Sequence, residues 1–198
     1  MSSRRQMLEF LSLTRLPNTF QEVEYIESSG TQYIDTGIAT NSQKIQAHLY
    51  RVGNNAGTYL GSYESDNVFR VLFYENKNQF QLRRNTLFDT NDTSNDITLL
   101  IDLPNISLNS FTDNTTINEI INQYNIFLFC GNINGTASSF QSMKLYSCQI
   151  YDNNTLVRNF VPCYRKADSE IGLYDLVNGV FYTNAGTGTF TKGANVWE

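Results

Sequence analysis

Apolar and polar residues alternate with a period of two along much of the chain. In the segment 44–50 every second residue is apolar, and the segment 146–150 repeats the pattern with Tyr146, Cys148 and Ile150. Because alternate side chains of a strand point to opposite faces of its sheet, this pattern predicts strands with one buried face. Tyr146, Cys148 and Ile150 are accordingly predicted to share that buried face.

Short polar turns separate these apolar runs. The tripeptide Asp-Asn-Asn at 152–154 predicts a tight turn, and Asn178-Gly179 is a strong hairpin signal because both residues tolerate positive φ. The segment 116–124 is predicted to form one or two helical turns, with its isoleucines on one face. About a dozen short strands separated by turns predict an all-β fold, a two-sheet antiparallel jelly-roll sandwich.

The first sixteen residues differ from the rest of the chain. They combine early arginines with a short apolar run that is too short and too charged to cross a bilayer, and no cleavage site marks a signal peptide. We therefore predict an N-terminal docking arm at 1–16 and a single domain at 17–198. The residues predicted to dock on a partner protein are Arg4, Arg5, Met7, Leu8, Phe10 and Leu11.

Composition and charge narrow the choice of partners. The formal net charge is −5 and no large lysine or arginine cluster is present, so nucleic acid is a poor partner, and no membrane partner is expected. The three cysteines, Cys130, Cys148 and Cys163, lack metal-ligand spacing and are predicted to be free and buried, as suits a reducing cytoplasm. Whether Cys148 and Cys163 ever pair is left open by the sequence.

Candidate catalytic and metal-binding groups are sparse. Glu22 and Glu24 have a spacing that would suit a glycosidase, but they are predicted to lie at the edge of the first strand rather than in a cleft. His48 is the one histidine, and no second ligand accompanies it. The acidic run at 89–96 lacks the spacing of a calcium-binding loop. We expect no catalytic residue, no metal and no cofactor.

Two long segments carry a resemblance to a known family. The residues VEYIESSGTQYIDTG at 23–37 and MKLYSCQIYDNNTLVRNFVPCYRKADSEIGLYDLVNGVFYTNAGTGTF at 143–190 resemble the concanavalin-A-like, laminin-G-like jelly-roll domains of bacteriophage and prophage structural proteins of gut bacteria. Between these ends the chain follows the family only in the rhythm of its strands. The resemblance implies two antiparallel sheets and a first strand that returns beside the last ones, and it implies no chemistry.

Two functions are consistent with that resemblance. The first is a virion structural protein, a decoration or fibre protein of head or tail that assembles in the host cytoplasm, forms homo-oligomers and binds other virion proteins through its arm. The alternative is a lectin-like adhesion module for host surface glycans. Sugars bind aromatic faces beside polar groups, so Tyr59, Tyr63 and Asp66 are the candidate glycan-binding residues.

Overall fold

The computed structural model describes residues 15–41 and 44–196, and within these ranges it contains strands and loops but no helix. In chain order the strands are β1 (Phe20–Glu22), β2 (Ile26–Ser28), β3 (Ile34–Asn41), β4 (Lys44–Arg51), β5 (Gly57–Glu64), β6 (Asn67–Tyr74), β7 (Lys77–Leu82), β8 (Leu87–Asp89), β9 (Asp96–Asp102), β10 (Asn105–Leu108), β11 (Phe111–Asn114), β12 (Ile121–Leu128), β13 (Gly131–Ile133), β14 (Thr136–Ser138), β15 (Met143–Asp152), β16 (Thr155–Arg165), β17 (Ile171–Asp175), β18 (Val180–Tyr182) and β19 (Thr191–Lys192).

These strands form two sheets, so the prediction of an all-β two-sheet sandwich is confirmed. The larger sheet has the order β11-β10-β9-β4-β15-β16-β17-β18, and β1, β2 and β19 extend it beside β16 and β15. The smaller sheet has the order β14-β13-β5-β6-β7-β8, with β12 paired to β5 and β3. All pairings are antiparallel except the one between β13 and β5. Strands β1 and β2 thus return beside the last long strands of the chain.

The core lies between the two sheets and contains the apolar residues of each alternating pattern. In β4 the residues Ile45, Ala47 and Leu49 are buried, while the residues between them are partly exposed. Fully buried aromatic rings from both sheets, such as Phe69 and Phe160, complete this core. Burial of one such side chain contributes roughly 1.5–3 kcal/mol, which makes the two-residue period the main determinant of which face turns inward.

Two predicted turns are present. The turn at 152–154 joins β15 to β16, and Asn153 and Asn154 both have positive φ, 46° and 65°. The turn between β17 and β18 contains Gly179 with φ of 68°. At both positions the backbone geometry, rather than packing, favours asparagine or glycine.

The predicted helical turns at 116–124 are wrong. Ile117 and Ile120 enter the core from a loop, while Ile121 is 50% exposed and begins strand β12. A helix would have placed the three isoleucines on one face, but pairing of β12 with β3 fixes an extended backbone from Ile121 onwards. β-branched side chains suit that extended conformation better than a helix.

The prediction of free, buried cysteines is confirmed for all three. Cys148 belongs to the core between the sheets, whereas Cys163 packs with Leu16 and Val161 in a second cluster. The two thiols therefore lie in separate apolar environments and are not paired in this structure.

Candidate functional site

The outer face of the larger sheet is divided into a covered half and an open half. Over β16 to β18 the segment before β1 lies across the sheet: Leu16 packs on Val161 and Cys163. The Phe20 ring lies 4.9 Å from the ring centroids of both Tyr174 and Phe181. This half is apolar and is partly buried by the chain itself.

The rest of this outer surface, which we call the open face, consists of the outward side chains of β9, β4 and β15 together with their neighbours on β2 and β16. Register places these side chains in rows across the strands, because Gln46 lies opposite both Leu100 and Gln149, and Gln149 lies opposite Asn159. The members of the open face are Tyr25, Glu27, Lys44, Gln46, His48, Tyr50, Asp96, Thr98, Leu100, Asp102, Lys144, Tyr146, Ser147, Gln149, Tyr151 and Asn159.

Aromatic rings form a connected group on the open face. The rings of His48 and Tyr146 stack with centroids 4.6 Å apart, and Tyr25 meets Tyr146 edge-on at 5.4 Å. The Lys144 ammonium lies 4.3 Å from the Tyr25 ring centroid and 5.7 Å from that of Tyr50. Edge-on, stacked and cation-π contacts of this kind hold rings in defined orientations.

The position of Tyr146 corrects the sequence prediction. It was predicted to lie on the buried face with Cys148 and Ile150, and that is wrong: Tyr146 is partly exposed and packs against His48. A register shift between Leu145 and Ser147 inserts an extra residue into β15, so Tyr146 and Ser147 both turn outward. A β-bulge of this kind breaks the two-residue period without a clear mark in the sequence.

A depression of about 350 Å³ lies beside the ring group, with His48 and Ser147 in its lining. Its polar lining is only partly committed to internal hydrogen bonds. The Gln149 Nε2 donates to Asn159 Oδ1 at 3.3 Å. The side chains of Gln46, Thr98 and Ser147 have no hydrogen-bond partner among the described residues.

A second depression, of about 500 Å³, adjoins the first at Leu100 and continues over β10 and β11. Its lining includes Asn105, Ser107 and Thr112. The two together form a groove that crosses six strands, from β16 to β11. From the ordinary spacing of neighbouring strands this groove is about 24 Å long.

In the part of the chain that the structure describes, every lysine, arginine and histidine in or beside the groove is close to a carboxylate. The nearest nitrogen–oxygen distances are 3.0 Å for Lys44 and Asp102, 2.8 Å for His48 and Asp96, 3.9 Å for Lys144 and Glu27, and 2.5 Å for Arg15 and Glu22. The hydrogen bond between Arg15 and Glu22 raises the pKa of Arg15, so this guanidinium stays charged. The groove therefore has polar character without an excess of positive charge.

One of the three residues predicted to bind glycans, Tyr59, is buried. Tyr59 was expected to be exposed, and that is wrong: the ring is fully buried and its hydroxyl donates to Asn78 Oδ1 at 2.6 Å. Burial raises the pKa of Tyr59. Tyr63 is half-buried on β5, and Asp66 is exposed in the turn that follows. A buried ring offers no face to a sugar, so the open face replaces this set as the candidate site.

The N-terminal prediction falls partly within the described residues. Arg4, Arg5, Met7, Leu8, Phe10 and Leu11 lie outside them. Arg15 and Leu16, which were assigned to the arm, contact the domain through Glu22 and through Val161 and Cys163. The part of the chain that packs on the sandwich therefore starts no later than Arg15.

The paired glutamates of the first strand have structural partners. Glu22 accepts two hydrogen bonds from Arg15, and Glu24 accepts one from the backbone N–H of Ala194. Among the described residues no three His, Cys, Asp or Glu side chains are arranged to hold a metal ion. Within the same ranges no helix has the length and hydropathy of a membrane span.

The fold and the open face define a class, an antiparallel β-sandwich with an aromatic and polar surface groove. No family model matches the chain. No curated protein is significantly similar to it in sequence.

Proposed function

We propose that the chain is a structural protein of a bacteriophage virion, displayed on the particle as a decoration or fibre domain of the concanavalin-A-like, laminin-G-like type. The residues before Arg15 attach it to other virion proteins. The resemblance of the segments 23–37 and 143–190 to domains of phage structural proteins supports this assignment. Assembly in the host cytoplasm fits the three free cysteines, and a homo-oligomer suits a symmetric particle.

One observation supports the anchoring role most directly, namely the way the chain enters the domain. Leu16 is 6% exposed and packs on β16, and Phe20 packs on Tyr174 and Phe181. Arg15 is paired with Glu22 immediately before this contact. The arm therefore joins the sandwich at a defined point on the outer face of the larger sheet.

The test is incorporation into particles. We would compare the full chain, a variant without residues 1–14 and the double variant Arg4→Glu/Arg5→Glu in particles purified by density gradient from cells that produce the chain. The proposal expects both variants to be folded and absent from particles, while the control Tyr74→Ala, an exposed position on β6, is incorporated normally. Incorporation of the variant that lacks 1–14 would refute anchoring by the arm.

Recognition of host surface glycans is a second candidate function, because the open face favours it. Aromatic rings beside uncommitted amide and hydroxyl groups are the features by which proteins bind sugars, and the open face offers both. The two functions are compatible, since a particle-bound domain that binds glycans would bring the particle to a cell surface. Catalysis is not part of either proposal.

A further inference from the structure

We infer that the groove, which begins on the open face and continues over β10 and β11, binds an uncharged polysaccharide that lies across strands β16, β15, β4, β9, β10 and β11. This inference rests on the second candidate function and specifies its site and its ligand class. It replaces the sequence-based set Tyr59, Tyr63 and Asp66 with His48, Tyr146 and the amide row of Gln46, Gln149 and Asn159.

The shape of the groove indicates a polymer rather than a single small molecule. The two depressions, about 350 and 500 Å³, meet at Leu100. Both are open to solvent along their length, and the groove crosses about 24 Å of sheet. A compact ligand would be better served by a closed cavity that surrounds most of its surface.

The chemistry of the lining matches the two faces of a sugar ring. His48 lines the first depression and is supported from behind by Tyr146, so it presents an aromatic surface of fixed orientation. The floor presents Gln46, Thr98 and Ser147, whose polar groups have no internal partner among the described residues and are free to bond hydroxyl groups. C–H faces of a sugar pack on aromatic rings, while its hydroxyls need donors and acceptors such as these.

The charges on and around the groove favour an uncharged ligand over an acidic one. The lysines beside the groove, Lys44 and Lys144, are close to carboxylates of the same surface. The chain as a whole has a formal charge of −5. An acidic polymer would therefore meet no free cation among the described residues of the groove, and it would be repelled by the net negative charge of the chain.

The composition argues against a protein partner in the same place. Leu100 is the one aliphatic side chain among the open-face residues, whereas the core of a protein interface is apolar and close-packed. The apolar part of this sheet surface lies over β16 to β18, outside the groove, and is partly covered by Leu16 and Phe20. A second copy of the chain would find a polar groove where an interface core is needed.

The experiment is affinity electrophoresis of the full chain in native gels that contain one soluble polysaccharide each. The neutral probes are β-glucan, mannan and galactan, and the acidic probes are polygalacturonate and hyaluronate. Ser147→Tyr fills the first depression at an exposed position, and Gln46→Ala removes an unpaired amide. The matched controls are Asn67→Tyr and Tyr74→Ala, both at exposed positions of β6 in the smaller sheet.

We expect at least one neutral polysaccharide to retard the full chain, Ser147→Tyr to abolish that retardation, and Gln46→Ala to weaken it about threefold to tenfold. Both controls should migrate like the full chain. Retardation that persists in Ser147→Tyr would refute the groove as the binding site, although it would still support glycan binding elsewhere on the chain. Retardation by the acidic probes alone would overturn the ligand class. Absence of retardation by every probe would overturn the glycan function itself, while incorporation into particles would still report on the anchoring role.

Discussion

The imidazole of His48 lies nearly parallel to the phenol of Tyr146, with ring centroids 4.6 Å apart and an angle of 20° between the planes. The His48 Nε2 is also 2.8 Å from Asp96 Oδ1, so the ring is held both from behind and at its edge. Strand β4 contributes one ring and the bulge of β15 contributes the other. The bulge thereby supplies the aromatic support of the groove.

The stack predicts different outcomes for two substitutions of His48. His48→Phe retains an aromatic surface on Tyr146, whereas His48→Ala removes it. We expect His48→Ala to weaken binding of a neutral polysaccharide by roughly three- to tenfold, the contribution of about one aromatic contact, and His48→Phe to retain most of the affinity.

The measurement is the dissociation constant from retardation at several polysaccharide concentrations. Thermal unfolding of each variant serves as the control, because His48 is 42% exposed in its side chain and its replacement should affect stability little. Equal binding by His48→Ala and the full chain would show that the ring has no part in recognition.

The buried carboxylate of Asp175 is hydrogen-bonded both to strand β16 and to the turn that follows β17. Asp175 is fully buried and accepts hydrogen bonds from the backbone N–H groups of Asn159 and Val177 and from the Asn178 side chain. The Arg158 Nε lies 3.7 Å from its Oδ2. We expect Asp175→Ala to lower the free energy of unfolding by about 3 kcal/mol or more, because three donors and a nearly buried guanidinium lose their partner.

Urea denaturation measures this loss, and Asp168→Ala is the matched control. Asp168 is also paired with an arginine, Arg165 at 2.6 Å, but on the surface, where solvent replaces the lost contact. The control should therefore shift the midpoint very little. Similar midpoints for Asp175→Ala and Asp168→Ala would contradict the prediction.

Regular alternation made much of this fold predictable from sequence. In β4 the alternation of Ile45, Ala47 and Leu49 with polar residues continues without interruption. The outward position of His48 could therefore be predicted from this alternation. The turns at 152–154 and at Asn178-Gly179 were predictable for a different reason, since their residues are the ones that tolerate positive φ.

Both misplaced tyrosines lie at a register shift, and Tyr59 belongs in addition to a stretch of β5 that is buried on both faces. Tyr59 lies at a register shift between Thr58 and Leu60, and Tyr146 lies at one between Leu145 and Ser147. At a bulge the inward and outward positions exchange, and no residue type is required there unless glycine is needed for positive φ. The open face could not be predicted from the sequence either, because its strands β9, β4 and β15 are neighbours in space but distant in sequence.

Leu16 and Arg15 are adjacent where the chain enters the domain, but we expect their replacement to change the free energy of unfolding by different amounts. Leu16 is 6% exposed against Val161 and Cys163, so Leu16→Ala should lower the free energy of unfolding by about 2 kcal/mol or more. Arg15 is 54% exposed in its side chain, and Arg15→Gln should cost less than about 1 kcal/mol. Chemical denaturation of the two variants side by side measures both values. If Leu16→Ala proved as stable as Arg15→Gln, Leu16 would belong functionally to the arm.

Burial should make the cysteines unreactive. It raises the pKa of Cys130, Cys148 and Cys163 to about 12, from an ordinary value of 9.0. Since the thiolate is the nucleophile, only about one thiol in ten thousand is ionised near pH 8 in the folded protein. We expect a disulfide reagent to leave the native chain unlabelled and to label all three cysteines in concentrated guanidinium chloride. Rapid labelling of the native chain would contradict the burial of these thiols.

The same shifts predict a loss of stability at alkaline pH. Above about pH 9 the thiols of the unfolded chain release protons while those of the folded chain retain them, so the folded state binds more protons. The free energy of unfolding must therefore fall as pH rises, by up to about 1.4 kcal/mol per pH unit for each thiol, until the folded thiols ionise as well. Cys148→Ala removes one such group from the core, and urea denaturation between about pH 9 and pH 10 should show a shallower decline for this variant than for the full chain, because one proton fewer is released on unfolding. Equal slopes for the two proteins would show that Cys148 ionises alike in both states.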